Sequence, residues 1–180
     1  MKIGFDLDGV LYPWHTIVYE HLKETKFIDG VSFQDFWGKY YKELLSEDEM
    51  MKVVNTTSLY IKRNIEAPIL DMLNRLTKDH TLYYITSRPE HVWKSTKRWA
   101  DRNNLPDTEN LICMLGNGKD KYIIDNKIDI YVDDRLDIIK IVSPHTDAIL
   151  VRQPYNDHGY QEYNYVQNVL EVEDYVRSKS

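Results

Sequence analysis

Two aspartates, Asp6 and Asp8, stand one residue apart at the end of a short apolar run, in the stretch GFDLDGVLYPW. In an extended chain, residues at positions i and i+2 project to the same side, so both carboxylates can reach one substrate. One carboxylate of such a pair can attack the substrate while the other donates and removes protons. The spacing therefore indicates hydrolytic chemistry, although a lone Asp-x-Asp is also common in turns.

Other polar residues follow later apolar runs and indicate how the repulsion between the first two carboxylates is offset. The segment TSR covers residues 86–88, and Asp133 and Asp134 end the run IYVDD. Four aspartates buried together need a counter-charge to stay ionised, because burial penalises the charged form. A lone Asp-Asp pair is more often a solvated turn. The pair Asp6 and Asp8 together with the pair Asp133 and Asp134, however, favours Mg²⁺, a hard cation with oxygen ligands. The predicted metal ligands are Asp6, Asp8, Asp133 and Asp134.

Five short apolar runs without regular polar alternation predict strands that are buried on both faces. They lie at residues 2–5, 82–85, 111–114, 130–132 and 148–151. Segments of helical character between them alternate with the strands, and this order predicts a parallel sheet with helices on both faces. The expected fold class is α/β, with a Rossmann-like three-layer core and a five-stranded parallel sheet. Ligands bind beyond the carboxyl ends of parallel strands, so the polar clusters that follow the strands should meet in one crevice.

The connection between the first two predicted strands is much longer than one crossover helix requires. About seventy-five residues separate Phe5 from Leu82, and most of them have helical character. We therefore predict a small helical cap inserted after the first strand, at residues 15–62. The predicted core domain comprises residues 1–14 and 63–180.

Composition and charge narrow the classes of partner. The chain of 180 residues has a formal net charge of −6, which disfavours nucleic acid polymers and membranes as partners. Its apolar runs are shorter than the ~20 residues of a membrane helix, and we expect no signal peptide. A single cysteine, Cys113, is consistent with a reducing compartment. We expect a cytoplasmic protein that acts on a small molecule; its oligomeric state stays open, with a homodimer among the alternatives.

Four motifs, in order along the chain, resemble those of the haloacid dehalogenase superfamily of phosphohydrolases. FDLDGVL resembles the first motif, a strand ending in Asp-x-Asp-Gly, and Thr86 in YYITSR resembles the second. A lysine in GKDKY resembles the third, and IYVDDR resembles the fourth, a strand ending in two acids. The resemblance implies that superfamily's fold, a helical cap and Mg²⁺-dependent hydrolysis of a phosphate ester.

A narrower resemblance is to the 5′(3′)-deoxyribonucleotidases, which hydrolyse nucleoside monophosphates. It depends on DLDGVLYPW with its aromatic Trp14, on ITSRP, on the pair Phe36–Trp37, on Asp120–Lys121 and on the loop QPYN at 153–156. We prefer Lys121 as the lysine of the third motif, because the Asp-Lys pair aligns directly. The stretch from Lys121 to Asp133 is longer than the usual spacing, so Lys119 is the alternative.

The resemblance implies a role for each matching residue. Asp6 would attack phosphorus, and Asp8 would protonate the leaving oxygen and then activate water. Thr86 and Lys121 would bind the phosphate. Mg²⁺ would be held by Asp6, the main-chain carbonyl of Asp8 and Asp134, with Asp133 acting through water. The implied substrate-binding residues are Trp14, Phe36, Trp37, Ser87 and Arg88.

Several side chains have a second interpretation. Arg88 fits a salt bridge to a nearby acid as well as a contact with phosphate. Phe36 and Trp37 also fit an aromatic stripe that packs the cap, and His15 fits a cap hinge or a surface position better than a catalytic one. The function predicted is that of a Mg²⁺-dependent 5′-nucleotidase. The alternatives are a phosphatase for a sugar phosphate or another small phosphate ester, a phosphomutase, and a non-catalytic phosphate-binding module.

Overall fold

A parallel β-sheet forms the centre of the computed structural model, which describes residues 1–25, 28–114 and 118–179. The strands are β1 (Lys2–Phe5), β2 (Thr81–Thr86), β3 (Leu111–Cys113), β4 (Ile130–Asp133), β5 (Asp147–Val151) and β6 (Asn164–Val166). Within the described residues they form one sheet in the order β3-β2-β1-β4-β5-β6, and each neighbouring pair is parallel. The five predicted strands are confirmed.

The sixth strand, β6, has no counterpart among the predicted strands. It pairs with β5 from Asn164 to Val166. Asn164 and Tyr165 are exposed, and Val166 is buried. A strand at the edge of a sheet buries less of its surface, so β6 lacks the apolar run that marks an interior strand. The predicted strand count is one short, while the α/β fold class is confirmed.

Helices cover the sheet and connect its strands. The α-helices are α1 (Trp14–Glu24), α2 (Phe33–Asp35), α3 (Tyr41–Leu44), α4 (Glu47–Val54), α5 (Ala67–Leu76), α6 (Trp93–Arg102), α7 (Lys119–Asp125), α8 (Leu136–Val142) and α9 (Val172–Lys179). A π-helical turn, Phe36–Tyr40, joins α2 to α3. Over the described ranges, no helix is both long and apolar enough to cross a membrane.

Alternate residues of β2, β4 and β5 pack into two apolar layers. Ile130 and Val132 of β4 belong to the larger layer, and Tyr131 between them belongs to the smaller one. Leu73 of α5 joins the larger layer, whereas Ile139 of α8 joins the smaller layer. Because successive side chains of a strand point to opposite faces, these helices lie on opposite sides of the sheet. This arrangement is the predicted three-layer core.

Helices α1–α4 and the π-helical turn lie between β1 and β2, in the stretch predicted to form a cap. Residues near the first turn favour the start of α4 in this stretch and of α5 after it. Ser46 and Glu49 form a capping box at the start of α4, in which the Glu49 carboxylate accepts from the Ser46 N–H at 2.8 Å. Pro68 lies in the first turn of α5, where its missing N–H leaves no hydrogen bond unmade. The division into a core domain and a cap domain stays a prediction.

The strand order places the predicted site residues at one crevice. β2 and β3 extend the sheet from one edge of β1, and β4 pairs with the opposite edge of β1. Ligands of open parallel sheets bind at such a reversal of strand order, beyond the carboxyl ends of the strands. Asp6 follows β1, Thr86 ends β2 and Asp133 ends β4. The topology therefore brings three of the four sequence motifs together.

Candidate active site

Three aspartates at the carboxyl ends of β1 and β4 form a buried carboxylate cluster. Asp6, Asp133 and Asp134 are at most 5% exposed. One carboxylate oxygen from each residue lies within 4.8 Å of those of the other two. The backbone N–H of Asp6 donates to the Val132 carbonyl at 2.9 Å, which extends the β1–β4 pairing to the acids. Strand pairing thus sets the separation between the first and fourth motifs.

Lys119 supplies a counter-charge inside the carboxylate cluster. Its Nζ lies 2.9 Å from Asp6 Oδ1 and 2.8 Å from Asp133 Oδ2, and its side chain is 2% exposed. Burial opposes its charge, but Asp133 and Asp6 outweigh burial and raise the pKa of Lys119 above its ordinary value. The residue opens α7 directly after Gly118, whose φ of 82° lies in the left-handed region that glycine adopts readily. Lys119 is therefore a charged lysine fixed between two carboxylates.

Lys121, the lysine preferred from the sequence, lies outside the carboxylate cluster. It is exposed, whereas Lys119 is buried. With 3.6 residues per helical turn, residues two apart on α7 point to nearly opposite sides, so both cannot face the sheet. The structure therefore places Lys119, the alternative suggested by the unusual spacing to Asp133, at the carboxylate cluster.

The two aspartates of the fourth motif have different partners. Besides Lys119, Asp133 accepts hydrogen bonds from the Tyr131 hydroxyl at 2.7 Å and the Arg135 N–H at 2.8 Å. Asp134 accepts from the Tyr155 hydroxyl through Oδ2, while its Oδ1 is buried without a hydrogen-bond partner among the described residues. An unpaired buried acceptor is costly. Asp134 Oδ1 is thus an oxygen available to a ligand.

The carboxylate cluster fits a divalent cation. Burial raises the pKa of Asp6 to about 7 against the attraction of Lys119. Burial, Asp133 and Asp6 raise the pKa of Asp134 well above its ordinary value. The single positive charge of Lys119 therefore does not neutralise the three carboxylates. Mg²⁺ binds oxygen ligands, and Asp134 Oδ1 has no hydrogen-bond partner among the described residues. Of the four predicted ligands, three bring their side chains together, and the carboxylate of Asp8 lies outside the group.

Asp8 instead forms a two-point salt bridge with Arg88. Arg88 Nε lies 2.9 Å from Asp8 Oδ2, and Nη2 lies 2.6 Å from Oδ1. Arg88 is 2% exposed, and its guanidinium lies over the rings of Tyr12, Tyr60 and Trp99. Of the two interpretations of Arg88, the structure shows the salt bridge. Arg88 is held among aromatic rings, pairs with Asp8 and also lines the cavity that contains Asp6 and Lys119, so contact with a substrate phosphate stays a prediction.

Thr86 and Ser87 lie where the resemblance to the second motif places them. Thr86 ends β2 and is 1% exposed, and both residues line a cavity together with Asp6 and Asp8. The Thr86 hydroxyl accepts the N–H of Arg88 at 3.3 Å. A hydroxyl that accepts through its oxygen still has its proton to donate, and a phosphate oxygen in the cavity is a suitable acceptor.

Aromatic side chains line the same cavity as the carboxylate cluster. The cavity measures about 630 Å³, the size of a small-molecule site. Trp14, Trp37 and Tyr60 contribute to its wall, and the Trp14 ring centroid lies 5.9 Å from that of Tyr60. Phe36 is fully buried and packs against Tyr19 and Trp37 instead of lining the cavity. Of the predicted aromatic contacts, the structure places Trp14 and Trp37 at the cavity and Phe36 in the packing of the helices.

The structure shows contacts at the cavity for His15 and Tyr155 that the sequence did not predict. His15 packs against Tyr155 with ring centroids 4.4 Å apart, and burial lowers its pKa to about 4. With a side chain that is 18% exposed, His15 lies in the wall of the cavity and not on the outer surface. Tyr155 lies in the loop after β5, which the sequence marks only by its resemblance to a nucleotidase loop. This loop is expected near Asp6 for the same reason, since β5 and β1 end at the same edge of the sheet.

Gly9 allows the loop after β1 to approach Asp134. Its φ is 86°, a left-handed conformation, and a Cβ built there would lie 1.9 Å from Asp134 Oδ2. Any larger residue would displace the carboxylate. The glycine of the first motif is therefore required by the close contact between the two acid-bearing loops.

Comparison with known proteins supports the sequence resemblance. No protein-family model matches the chain. A protein from Oceanobacillus iheyensis is 29% identical over 168 residues, which cover 87% of this chain and 89% of the relative. A protein from Bacillus subtilis is 24% identical over 162 residues, which cover 87% and 82%. Both carry the name "Putative nucleotidase".

Solved structures share the fold over nearly the whole chain. A haloacid dehalogenase-like hydrolase from Streptococcus pneumoniae has a TM-score of 0.65 at 15% identity, covering 97% of each chain. A haloacid dehalogenase-type protein from Bacillus subtilis bound to magnesium has a TM-score of 0.58 at 14% identity, covering 98% of each. β-Phosphoglucomutase from Clostridium difficile has a TM-score of 0.58 at 16% identity, covering 99% and 96%. The predicted resemblance is confirmed: the chain has the haloacid dehalogenase-type fold and resembles proteins named as nucleotidases.

Proposed function

We propose that this protein is a Mg²⁺-dependent phosphomonoesterase that hydrolyses nucleoside monophosphates through an aspartyl-phosphate intermediate. One observation carries the proposal. A single cavity is lined both by the acids, Thr86 and Lys119 and by aromatic rings that can hold a base. The sequence relatives named as nucleotidases support the same substrate class.

The proposed reaction begins with attack by Asp6 on phosphorus. A bond forms between the Asp6 carboxylate and phosphorus as the bond to the ester oxygen breaks, and Asp8 donates a proton to that leaving oxygen. Water then attacks the aspartyl-phosphate while Asp8 takes up its proton, which releases inorganic phosphate and restores Asp6. To donate a proton, Asp8 must first be protonated and must therefore give up part of its pairing with Arg88. The part of the pairing that remains orients Asp8 in both steps.

Charge neutralisation accounts for most of the proposed catalysis. Lys119 lies 2.9 Å from the attacking carboxylate and contributes fixed positive charge in a buried setting. Thr86 offers its hydroxyl to a phosphate oxygen. Mg²⁺ held by Asp6 and Asp134, with Asp133 beside them, would supply further positive charge to the phosphate. Phosphoryl transfer depends largely on such positioning and charge, which this set of residues provides.

A phosphate-release screen tests the proposed function. The substrates are nucleoside monophosphates, sugar phosphates and a small generic phosphate ester, each with Mg²⁺ and with a chelator. We expect the highest kcat/KM for a nucleoside monophosphate and loss of release with the chelator. Higher kcat/KM for a sugar phosphate would contradict the proposed substrate class. No release from any substrate would favour a phosphate-binding module.

Replacement of Trp14 by alanine tests the contact with the base. Stacking on an aromatic ring contributes about 1–3 kcal/mol per base, so Trp14→Ala should raise KM for nucleoside monophosphates about 5- to 150-fold. The KM for the small generic ester should change little, because that ester has no base. Phe33→Ala is the matched control, since Phe33 packs against Tyr19 and is not part of the cavity wall. An equal rise in KM for both substrates would exclude stacking on Trp14.

A further inference from the structure

The loop after β5 contacts both acid-bearing loops of the site. Gln153 Nε2 donates to the Gly9 carbonyl at 2.9 Å, next to the first motif. Asn156 Nδ2 donates to the Asp134 carbonyl at 2.7 Å and to the Val151 carbonyl at 2.8 Å. The loop is closed on itself, because the Gln153 N–H donates to Asn156 Oδ1 at 2.9 Å. Residues 153–156 thus connect the loop after β1 to the loop after β4.

Tyr155 extends from this loop to the side chain of Asp134. Its hydroxyl donates to Asp134 Oδ2, and its Oη lies 3.2 Å from His15 Nδ1. A phenol has one proton, so the hydrogen bond with His15 requires His15 to donate from Nδ1. This matches the single N–H of the neutral imidazole expected from its lowered pKa. The hydrogen bonds therefore run in one direction, from His15 through Tyr155 to Asp134.

Packing fixes the ring of Tyr155. It lies against His15, and its centroid is 6.2 Å from that of Trp37. Trp37 is itself held by a hydrogen bond from Nε1 to the His15 carbonyl at 3.1 Å. The π-helical turn also packs closely against the loop, since a Cβ at Gly38 would lie 3.3 Å from the Pro154 carbonyl oxygen. Helical segments inserted between β1 and β2 thus hold the hydroxyl against Asp134.

We propose that Tyr155 is a positioning residue that orients Asp134 for a divalent cation. Because the hydroxyl occupies Oδ2, the carboxylate presents Oδ1, which has no partner among the described residues. Hydrogen-bond partners of metal-binding carboxylates orient their ligands in this way, and their removal typically weakens metal binding about 10- to 100-fold. The inference rests on the proposed function, since it takes Asp134 as a ligand of Mg²⁺.

Calorimetric titration of the full chain with Mg²⁺ tests the role of Tyr155. Tyr155→Phe keeps the ring and its packing but removes the hydroxyl, and we expect it to raise the Kd for Mg²⁺ about 10- to 100-fold. The matched control is Tyr175→Phe, which removes a tyrosine hydroxyl that donates to Asp147 Oδ1 at 2.7 Å, outside the site. It should leave the Kd unchanged. In phosphate release, kcat of Tyr155→Phe should approach the wild-type value at saturating Mg²⁺, which a general loss of structure would not allow.

The outcomes separate this inference from the proposed function. If wild-type protein binds Mg²⁺ and Tyr155→Phe binds it equally well, the positioning role is wrong and the metal site stands. If wild-type protein binds no Mg²⁺, the proposed metal site is wrong and the inference is overturned with it. Thermal unfolding in chelator shows that both variants are folded before their affinities are compared.

Discussion

Asp6→Asn is expected to lower kcat for phosphate release about 10⁴-fold or more. The amide has nearly the shape of the carboxylate but is a poor nucleophile, so attack on phosphorus is lost while the cavity keeps its form. The measurement is single-turnover phosphate release at saturating Mg²⁺ with the best substrate from the screen. Asp125→Asn is the matched control, because Asp125 is an exposed aspartate on α7. If Asp6→Asn turns over near the wild-type rate, Asp6 is not the nucleophile.

Thermal unfolding distinguishes loss of the nucleophile from loss of the fold. The folded pKa of Asp6, about 7, lies above its ordinary value of 3.8, because burial outweighs the attraction of Lys119. A carboxyl group with a raised folded pKa destabilises the native state as pH rises through the range between these two values. Asn carries no such charge. In metal-free buffer at pH 8, Asp6→Asn should therefore unfold at a temperature no lower than that of the wild type. A much lower unfolding temperature would mean that the loss of activity reflects the fold.

Much of this site is predictable from sequence, because local patterns mark the strands and the polar residues that follow them. Short apolar runs mark the interior strands, and the polar residues after them fall at one edge of a parallel sheet. Asp6, Thr86 and Asp133 lie together for this reason. The edge strand β6 is not predictable in this way, since its exposed residues, Asn164 and Tyr165, do not form an apolar run.

Contacts between distant side chains could not be predicted in the same way. The pairing of Asp8 with Arg88 spans 80 positions, and that of Asp134 with Tyr155 spans 21. Charge alone allows Arg88 to bind either a phosphate or an acid. In the structure Arg88 pairs with Asp8 among aromatic rings, and this contact depends on how the helices between β1 and β2 pack. The sequence therefore indicated which residues are chemically capable but not the orientation of each.

The choice between Lys119 and Lys121 depends on the phase of one short helix. Alignment of an Asp-Lys pair favoured Lys121, whereas the start of α7 directs Lys119 toward the sheet and leaves Lys121 exposed. Two matched substitutions on the same helix test this difference. Lys119→Met removes the charge beside Asp6 and Asp133 and keeps a chain of similar length, while Lys121→Met removes a charge from solvent.

Lys119→Met is expected to lower kcat about 10²- to 10³-fold, the usual effect of removing one preorganised charge that stabilises a transition state. It should also lower the unfolding temperature in chelator, because Asp6, Asp133 and Asp134 then lack their buried cation. Added Mg²⁺ should restore part of that stability by binding the native state. Lys121→Met should change neither kcat nor the unfolding temperature appreciably. Both quantities are measured with and without Mg²⁺, and kcat is compared per folded protein. A loss of activity confined to Lys121→Met would assign the catalytic role to Lys121, the residue that the sequence alignment favours. It would also mean that α7 rotates about its axis in the active enzyme.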